Sequence, residues 1–377
     1  MSRLGFSRTN DIGDADGFLL AAVSYRFGDV GDARSLSRLS SRLGPGDEER
    51  LSGHARYHEL LPLLHLVAAD CASLGHALGL PSSTLRLWEE EYRRETVRSS
   101  LVIHGARAAL TALSESGIRA IPLKGVYLSA RYYRKPGARP FRDFDLLVRE
   151  EDLRGLHSAL CGAGFRPLEG RPTFVPAPAC TVYSLVLEDG ITAVEVDVHV
   201  GMHWPAEYER RTRFRVSDIW RDARGESWEG IPILAMRPEH LLIVTLLDLA
   251  VNHRYARLIK FRDLLEIIDR MDIDWEEVSR CARRWEVASQ VGPGLLYLRH
   301  LEPANRVPAS VVGELTPGYL AGKLFIRSLP PWNLPAHRSR SFSPANFLFF
   351  LLADRPGERL RGLAYIPGHI RRGLRRF

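Results

Sequence analysis

Two carboxylates one residue apart, Asp143 and Asp145, open the apolar run Asp143-Phe-Asp145-Leu-Leu-Val148. On a β-strand, residues two apart share a face, so these two stand side by side and repel. A divalent cation with a preference for oxygen ligands relieves that repulsion. A second acidic stretch, Val194-Glu195-Val-Asp197-Val-His199, alternates strictly, with Glu195, Asp197 and His199 on one face and the valines on the other. If the two strands are neighbours, three or four carboxylates converge, enough to hold two hard cations for phosphate transfer. Upstream, Ile121-Pro-Leu-Lys124-Gly125 places a glycine between a strand and a helix, where backbone N–H groups can hold a phosphate oxygen. Lys124, Arg139 and Arg142 supply positive charge for a triphosphate. Taken singly, each feature also has a plain reading: solvated carboxylates at a strand entrance, a surface turn, exposed basic residues. The combination is what points to metal-assisted chemistry on phosphate.

Other chemistries find no matching pattern. The four cysteines, Cys71, Cys161, Cys180 and Cys281, are scattered without a Cys-x-x-Cys pair, which argues against a zinc site or a disulfide framework and fits a reducing cytoplasm. His199 and His203 have no third nitrogen or sulfur ligand at a zinc-like spacing, so a hydrogen-bonding or substrate-facing role is expected for His199. Neither a Walker-type glycine-rich loop nor a Gly-x-Ser-x-Gly elbow occurs. No apolar signal core follows the first residues, and runs such as Leu241–Val251 and Phe347–Leu352 are too short or too interrupted to span a bilayer. From Glu286 to Phe377 there are 13 Lys/Arg against 5 Asp/Glu, a balance of +8; with +7 for the whole chain, the remainder carries about −1. The basic character therefore belongs to a C-terminal tail that could touch nucleic acid, a membrane surface or an acidic partner, or simply be solvated.

The elements around the acidic runs read as α+β. Residues 1–116 form a helical N-terminal region: an apolar stretch at Phe18–Phe27, a Gly/Asp/Ser-rich connection to about residue 45, then helical periodicity through Leu66 and again from Leu85 to about Ser116. Residues 117–236 form the core, a small mixed β-sheet covered by helices, with strands at Ile118–Leu123, Asp143–Val148, Thr181–Leu187 and Thr192–Val200. Glu188-Asp-Gly190 reads as a hairpin turn between the last two. Residues 237–377 form a helical C-terminal region with the basic tail; its helices are expected at 239–252, 257–270 and 275–290.

Leu123-Lys-Gly125, Arg139-Pro-Phe-Arg-Asp143-Phe-Asp145-Leu-Leu-Val148 and Asp197-Val-His199 together resemble the bacterial "uncharacterised nucleotidyltransferase" family, within the DNA-polymerase-beta-like nucleotidyltransferase superfamily. The resemblance runs from about residue 16 to 290 and is strongest over 118–200; Pro238-Glu-His-Leu-Leu242 and Lys260-Phe-Arg-Asp263 look like its later features. It implies Asp143, Asp145 and Asp197 as the catalytic, metal-binding carboxylates, Gly125 as the glycine of the nucleotide-binding turn, and Lys124 and Arg139 as recurring basic positions. Two departures stand out: Val126 follows Gly125 where the superfamily often has Gly-Ser or Gly-Gly, and His203-Trp204 comes slightly after His199 instead of His-Trp directly.

The resemblance also implies a cytoplasmic, Mg2+- or Mn2+-dependent transferase. It would move a nucleoside monophosphate from a nucleoside triphosphate, ATP first, to a hydroxyl or phosphate of a small-molecule or peptide natural product. Two alternatives remain open at this point: a nucleotide-binding or regulatory protein without chemistry, and transfer to a protein or to RNA.

Overall fold

The computed structural model describes residues 13–168, 180–186, 192–202, 204, 212–301 and 306–316. The chain divides into two compact units: Met1–Tyr92, Leu246–Leu265 and Val287–Phe377 in the first, Arg93–Thr245 and Glu266–Glu286 in the second. His203, the turn expected at Glu188–Gly190, the apolar run Phe347–Leu352 and the basic tail lie outside the described residues.

In the first unit, α1 (Asp14–Val23), α2 (Val30–Ser40), α3 (Asp47–Tyr57) and α4 (Leu61–Ser73) precede the start of the long α5 (Ser82–Glu115). Helix α2 falls where the sequence suggests only a connection. Its apolar stripe is thin, with Ala33 and Leu36 as the buried apolar residues, and its start is fixed by the Asp29 side chain accepting from the Asp32 N–H. The last carbonyl of α1 and one just beyond it are satisfied from far along the chain: the buried Arg262 guanidinium donates to the Val23 and Tyr25 oxygens at 3.0 and 2.7 Å. Lys260 Nζ pairs with the buried Asp248 at 3.0 Å. The Lys260-Phe-Arg-Asp263 stretch thus does structural work within this unit.

The second unit is built around a five-stranded mixed sheet of β1 (Ile121–Pro122), β2 (Asp143–Leu147), β3 (Arg166–Pro167), β4 (Cys180–Val186) and β5 (Thr192–His199), in the order β1-β2-β5-β4-β3. Strands β2 and β5 run parallel and all other pairs antiparallel. Helix α6 (Lys124–Tyr132) links β1 to β2, and α7 (Leu153–Gly162), led in by a 3-10 turn at Glu150–Asp152, follows β2. Strand β1 is only two residues long, shorter than the apolar run Ile118–Leu123 suggests.

Alternation splits the sheet into two faces. Phe144, Leu146, Val194, Val196 and Val198 are buried on one of them. Helix α5 packs there so closely that a Cβ on Gly105 would lie 2.2 Å from Val194 Cγ1. The other face carries the carboxylates.

A second, two-stranded sheet, β6 (Arg224–Trp228) with β7 (Ile231–Ala235), is absent from the sequence reading although its signals are present. Trp228, Ile233 and Ala235 are buried, and Glu229 and Gly230 both take positive φ, as a tight hairpin requires. The Leu234 N–H donates to the Ala120 oxygen at 3.0 Å, which ties this hairpin beside β1. The helical pattern continues through α8 (Val216–Asp222), α9 (Pro238–Leu247), a π-helical turn at Asp248–Asn252, α10 (Leu258–Arg270) and α11 (Trp275–Arg284). Then come α12 (Ala288–Leu301) and α13 (Ala309–Leu315). The single helix expected over 275–290 is two, because Trp285 ends the first and Glu286 turns left-handed at φ 56°. Among the described residues no helix is long and apolar enough to cross a membrane.

The close approach of α5 to β5 gives a test of sign. Gly→Ala in an exposed helix normally stabilises by up to about 1 kcal/mol. Here Gly105→Ala should destabilise by about 1–3 kcal/mol, because the new methyl overlaps Val194. The Gly105→Ala/Val194→Ala double variant should recover part of that loss in chemical denaturation. Stabilisation by Gly105→Ala alone would contradict the packing.

Candidate active site

The parallel register of β2 and β5 assembles the acidic face. Asp143 pairs with Glu195, Asp145 with Asp197 and Leu147 with His199, so side chains at matched positions project together. Asp145, Asp197 and His199 each offer a ligand atom within 4.8 Å of the others. His199 Nε2 lies 2.8 Å from Asp145 Oδ1, and both side chains are buried, while Asp197 is half-buried. Asp143 sits at the strand entrance, half-buried on the same face. The adjoining β4 adds Val182 opposite Asp197 and the buried Ser184 opposite Glu195. The structure thus brings Asp145 and Asp197 together and adds His199 to them, a residue that alternation places on their face but for which the sequence suggests a hydrogen-bonding or substrate-facing role.

The turn from β1 into α6 approaches from the side of Asp145. Lys124 Nζ lies 3.8 Å from Asp145 Oδ1. Its backbone is left-handed, with φ 47°, at the first residue of the helix. A lysine in that conformation costs on the order of 1 kcal/mol, a strain that recurs where a side chain must be aimed. Nothing in the sequence signals this. Leu123, the preceding residue, gives α6 no side-chain cap.

Gly125 is required for a reason other than the one its position suggests. A Cβ there would meet Arg139 Nη1 and Phe141 Cβ, each at 3.0 Å, so the space a side chain would fill is taken by the segment entering β2. Arg139 is buried and donates from Nη1 to the Pro140 oxygen at 2.6 Å. Its charge still reaches the site, since it helps to hold Asp143 ionised. Arg142 does not face the acidic residues with its full charge: it makes a two-pronged contact with Glu95 of α5, at 2.7 and 2.9 Å. Nearby, Gly137 takes φ 76° and presses on Thr96, where a Cβ would lie 2.8 Å from the backbone. These contacts pin the approach to β2 against α5.

Trp204, the aromatic of the His203-Trp204 pair, is buried in an edge-to-face chain with Phe214 and Trp285, at centroid separations of 4.7 and 4.9 Å. It anchors the chain after β5.

Burial, and secondarily the neighbouring Asp145 charge, push the Asp143 carboxyl above the ordinary carboxylate range, while Lys124 and Arg139 oppose the shift. Carboxylates crowded on a half-buried face, with an imidazole as a further donor, form a set that fits a divalent cation. The lysine beside them fits an anionic phosphate.

A family model described as "Uncharacterised nucleotidyltransferase" matches residues 45–303. No curated protein matches the sequence. Among solved structures, the chain is similar to one titled "Crystal structure of an antigenic nucleotidyltransferase-like protein from Paracoccidioides brasiliensis", at 15% identity and a TM-score of 0.37. The match covers 61% of this chain and 95% of that one.

The raised Asp143 pKa fixes the sign of a stability effect. As pH rises from the unfolded value of 3.8 through the higher folded one, the folded protein must ionise a partly desolvated carboxyl beside Asp145, so stability falls over that interval. In metal-free protein at pH 7, Asp143→Asn should therefore melt at or above the wild-type temperature. The difference should close below the carboxylate range. Added Mg2+ or Mn2+ should raise the wild-type melting temperature more than that of the variant. A variant several degrees less stable than wild type at pH 7 would contradict the electrostatic account.

Proposed function

The chain belongs to the uncharacterised nucleotidyltransferase family, whose model matches more than half of it, and on that premise we propose that it moves a nucleoside monophosphate from a nucleoside triphosphate to an acceptor hydroxyl or phosphate. Membership supports nucleotidyl transfer as the class of reaction. The proposal extends to ATP as donor, Mg2+ or Mn2+ as cofactor, a small-molecule or peptide natural product as acceptor, and a cytoplasmic setting. The observation that carries it is the in-register pairing of Asp145 with Asp197, with Lys124 Nζ 3.8 Å from Asp145. Carboxylates suited to a metal and a lysine suited to phosphate stand side by side on one face.

A divalent cation held by Asp143, Asp145 and Asp197 would neutralise charge on the triphosphate and on the departing pyrophosphate. Lys124 and the first N–H groups of α6, with Gly125 keeping the turn close, bind the phosphates; Arg139 adds charge from beneath. Asp197 accepts the acceptor proton. The acceptor oxygen then bonds to the α-phosphorus as the bond to pyrophosphate breaks. With little covalent chemistry for the protein to do, the rate comes from positioning and charge.

The assay is incubation with each labelled nucleoside triphosphate, Mg2+ and a lysate of the native organism, followed by identification of the labelled product. Nucleotide-dependent thermal stabilisation without pyrophosphate release would favour the non-catalytic alternative. A labelled protein or RNA as the product would favour transfer to a macromolecule.

Single substitutions should give an unequal pattern. Asp143→Asn, Asp145→Asn and Asp197→Asn should each lower kcat by about 10²-fold or more with the fold intact. Glu195→Gln should cost less. Lys124→Ala should chiefly raise KM for the triphosphate. Full activity in Asp143→Asn or Asp145→Asn contradicts the mechanism, and equal losses at Glu195 and Asp197 would move the third carboxylate to Glu195.

A further inference from the structure

We infer that His199 is itself a ligand of the cation, and that its nitrogen biases the site toward Mn2+ over Mg2+. The inference rests on the cation-dependent reading above and adds a residue and a metal preference that the carboxylates alone do not carry.

Three observations converge on it. First, the position is fixed by backbone pairing: His199 ends β5, opposite Cys180 on one side and Leu147 on the other, on the same face as Asp197. Its imidazole cannot leave that face without breaking the sheet register. Second, the spacing suits a shared cation. Neighbouring ligands of an octahedral ion with bonds of about 2.1 Å are about 3 Å apart, and His199 Nε2 lies 2.8 Å from Asp145 Oδ1. Asp197 completes a group whose atoms all fall within 4.8 Å. Third, His199 is 4% exposed, so the ring is held by its surroundings and pre-aimed. Asp143, by contrast, falls outside this close group.

The consequence is chemical. Mg2+ favours all-oxygen surroundings and gives up its waters reluctantly, whereas first-row transition ions accept imidazole readily. Adding an imidazole to the carboxylates therefore matches the site better to Mn2+ than carboxylates alone would. If His199 instead only donated a hydrogen bond to Asp145, it would steady that carboxylate for either ion and create no preference.

Pulsed electron paramagnetic resonance on the full chain loaded with Mn2+ separates the two roles. A coordinated imidazole gives a nitrogen hyperfine coupling in the wild-type spectrum, which requires no variant to fold. His199→Gln should remove that coupling, weaken Mn2+ binding by about tenfold and weaken Mg2+ binding, measured by competition, distinctly less. Asp145→Asn should lower the affinity for both ions. Mn2+ binding that depends on Asp145 but shows no nitrogen coupling would overturn the role of His199 and leave the proposed function standing. Equal losses of Mn2+ and Mg2+ affinity in His199→Gln would overturn the preference in the same way. Absence of any Asp145-dependent binding of either ion would overturn both.

Discussion

Like charges held together by backbone pairing are the constraint on which the second unit turns. Strands β2 and β5 hydrogen-bond in parallel with Asp145 directly beside Asp197, and the sheet gives neither residue a way to turn aside. Burial on that face raises the cost, as the upward shift of the Asp143 carboxyl shows. Such an arrangement is held together by what lies on the other face. There Phe144, Leu146, Val194, Val196 and Val198 are buried, and Gly105 lets α5 come into contact with Val194. The apolar face supplies the stability, and the polar face carries the strain.

The same division runs through the basic residues. Arg142 grips Glu95, and Arg139 lies buried against Gly125 and the Pro140 carbonyl. Both fix the path into β2. Lys124 stays at the acidic face, and its left-handed backbone is the local cost of pointing it there. Three cations close in sequence thus divide into two that shape the entrance to the strand and one that faces the carboxylates.

Much of the site was legible in the sequence because alternation is a local signal. Asp143, Asp145, Glu195, Asp197 and His199 could be assigned to strand faces from period alone. What alternation cannot supply is which strands are neighbours. The order β1-β2-β5-β4-β3 puts β2 beside a strand some fifty residues further along, and only that crossover brings His199 to Asp145. Arg142 and Glu95 are likewise 47 residues apart, so the basic residue looked available for phosphate. Helix α2 was hidden by its short apolar stripe, and the β6–β7 hairpin by its position between two helical stretches. The backbone of Lys124 was illegible, since a left-handed lysine is set by tertiary surroundings and not by its own preference.

The central claim is that the paired acidic strands exist to hold a divalent cation next to a nucleotide. Anomalous diffraction from crystals grown with Mn2+ and a non-hydrolysable nucleoside triphosphate analogue tests it most directly. A strong anomalous peak is expected in bonding contact with Asp145 and Asp197, with the analogue's phosphates beside it and near Lys124. A peak located elsewhere, or analogue density away from this face with none beside Asp145 and Asp197, would contradict it.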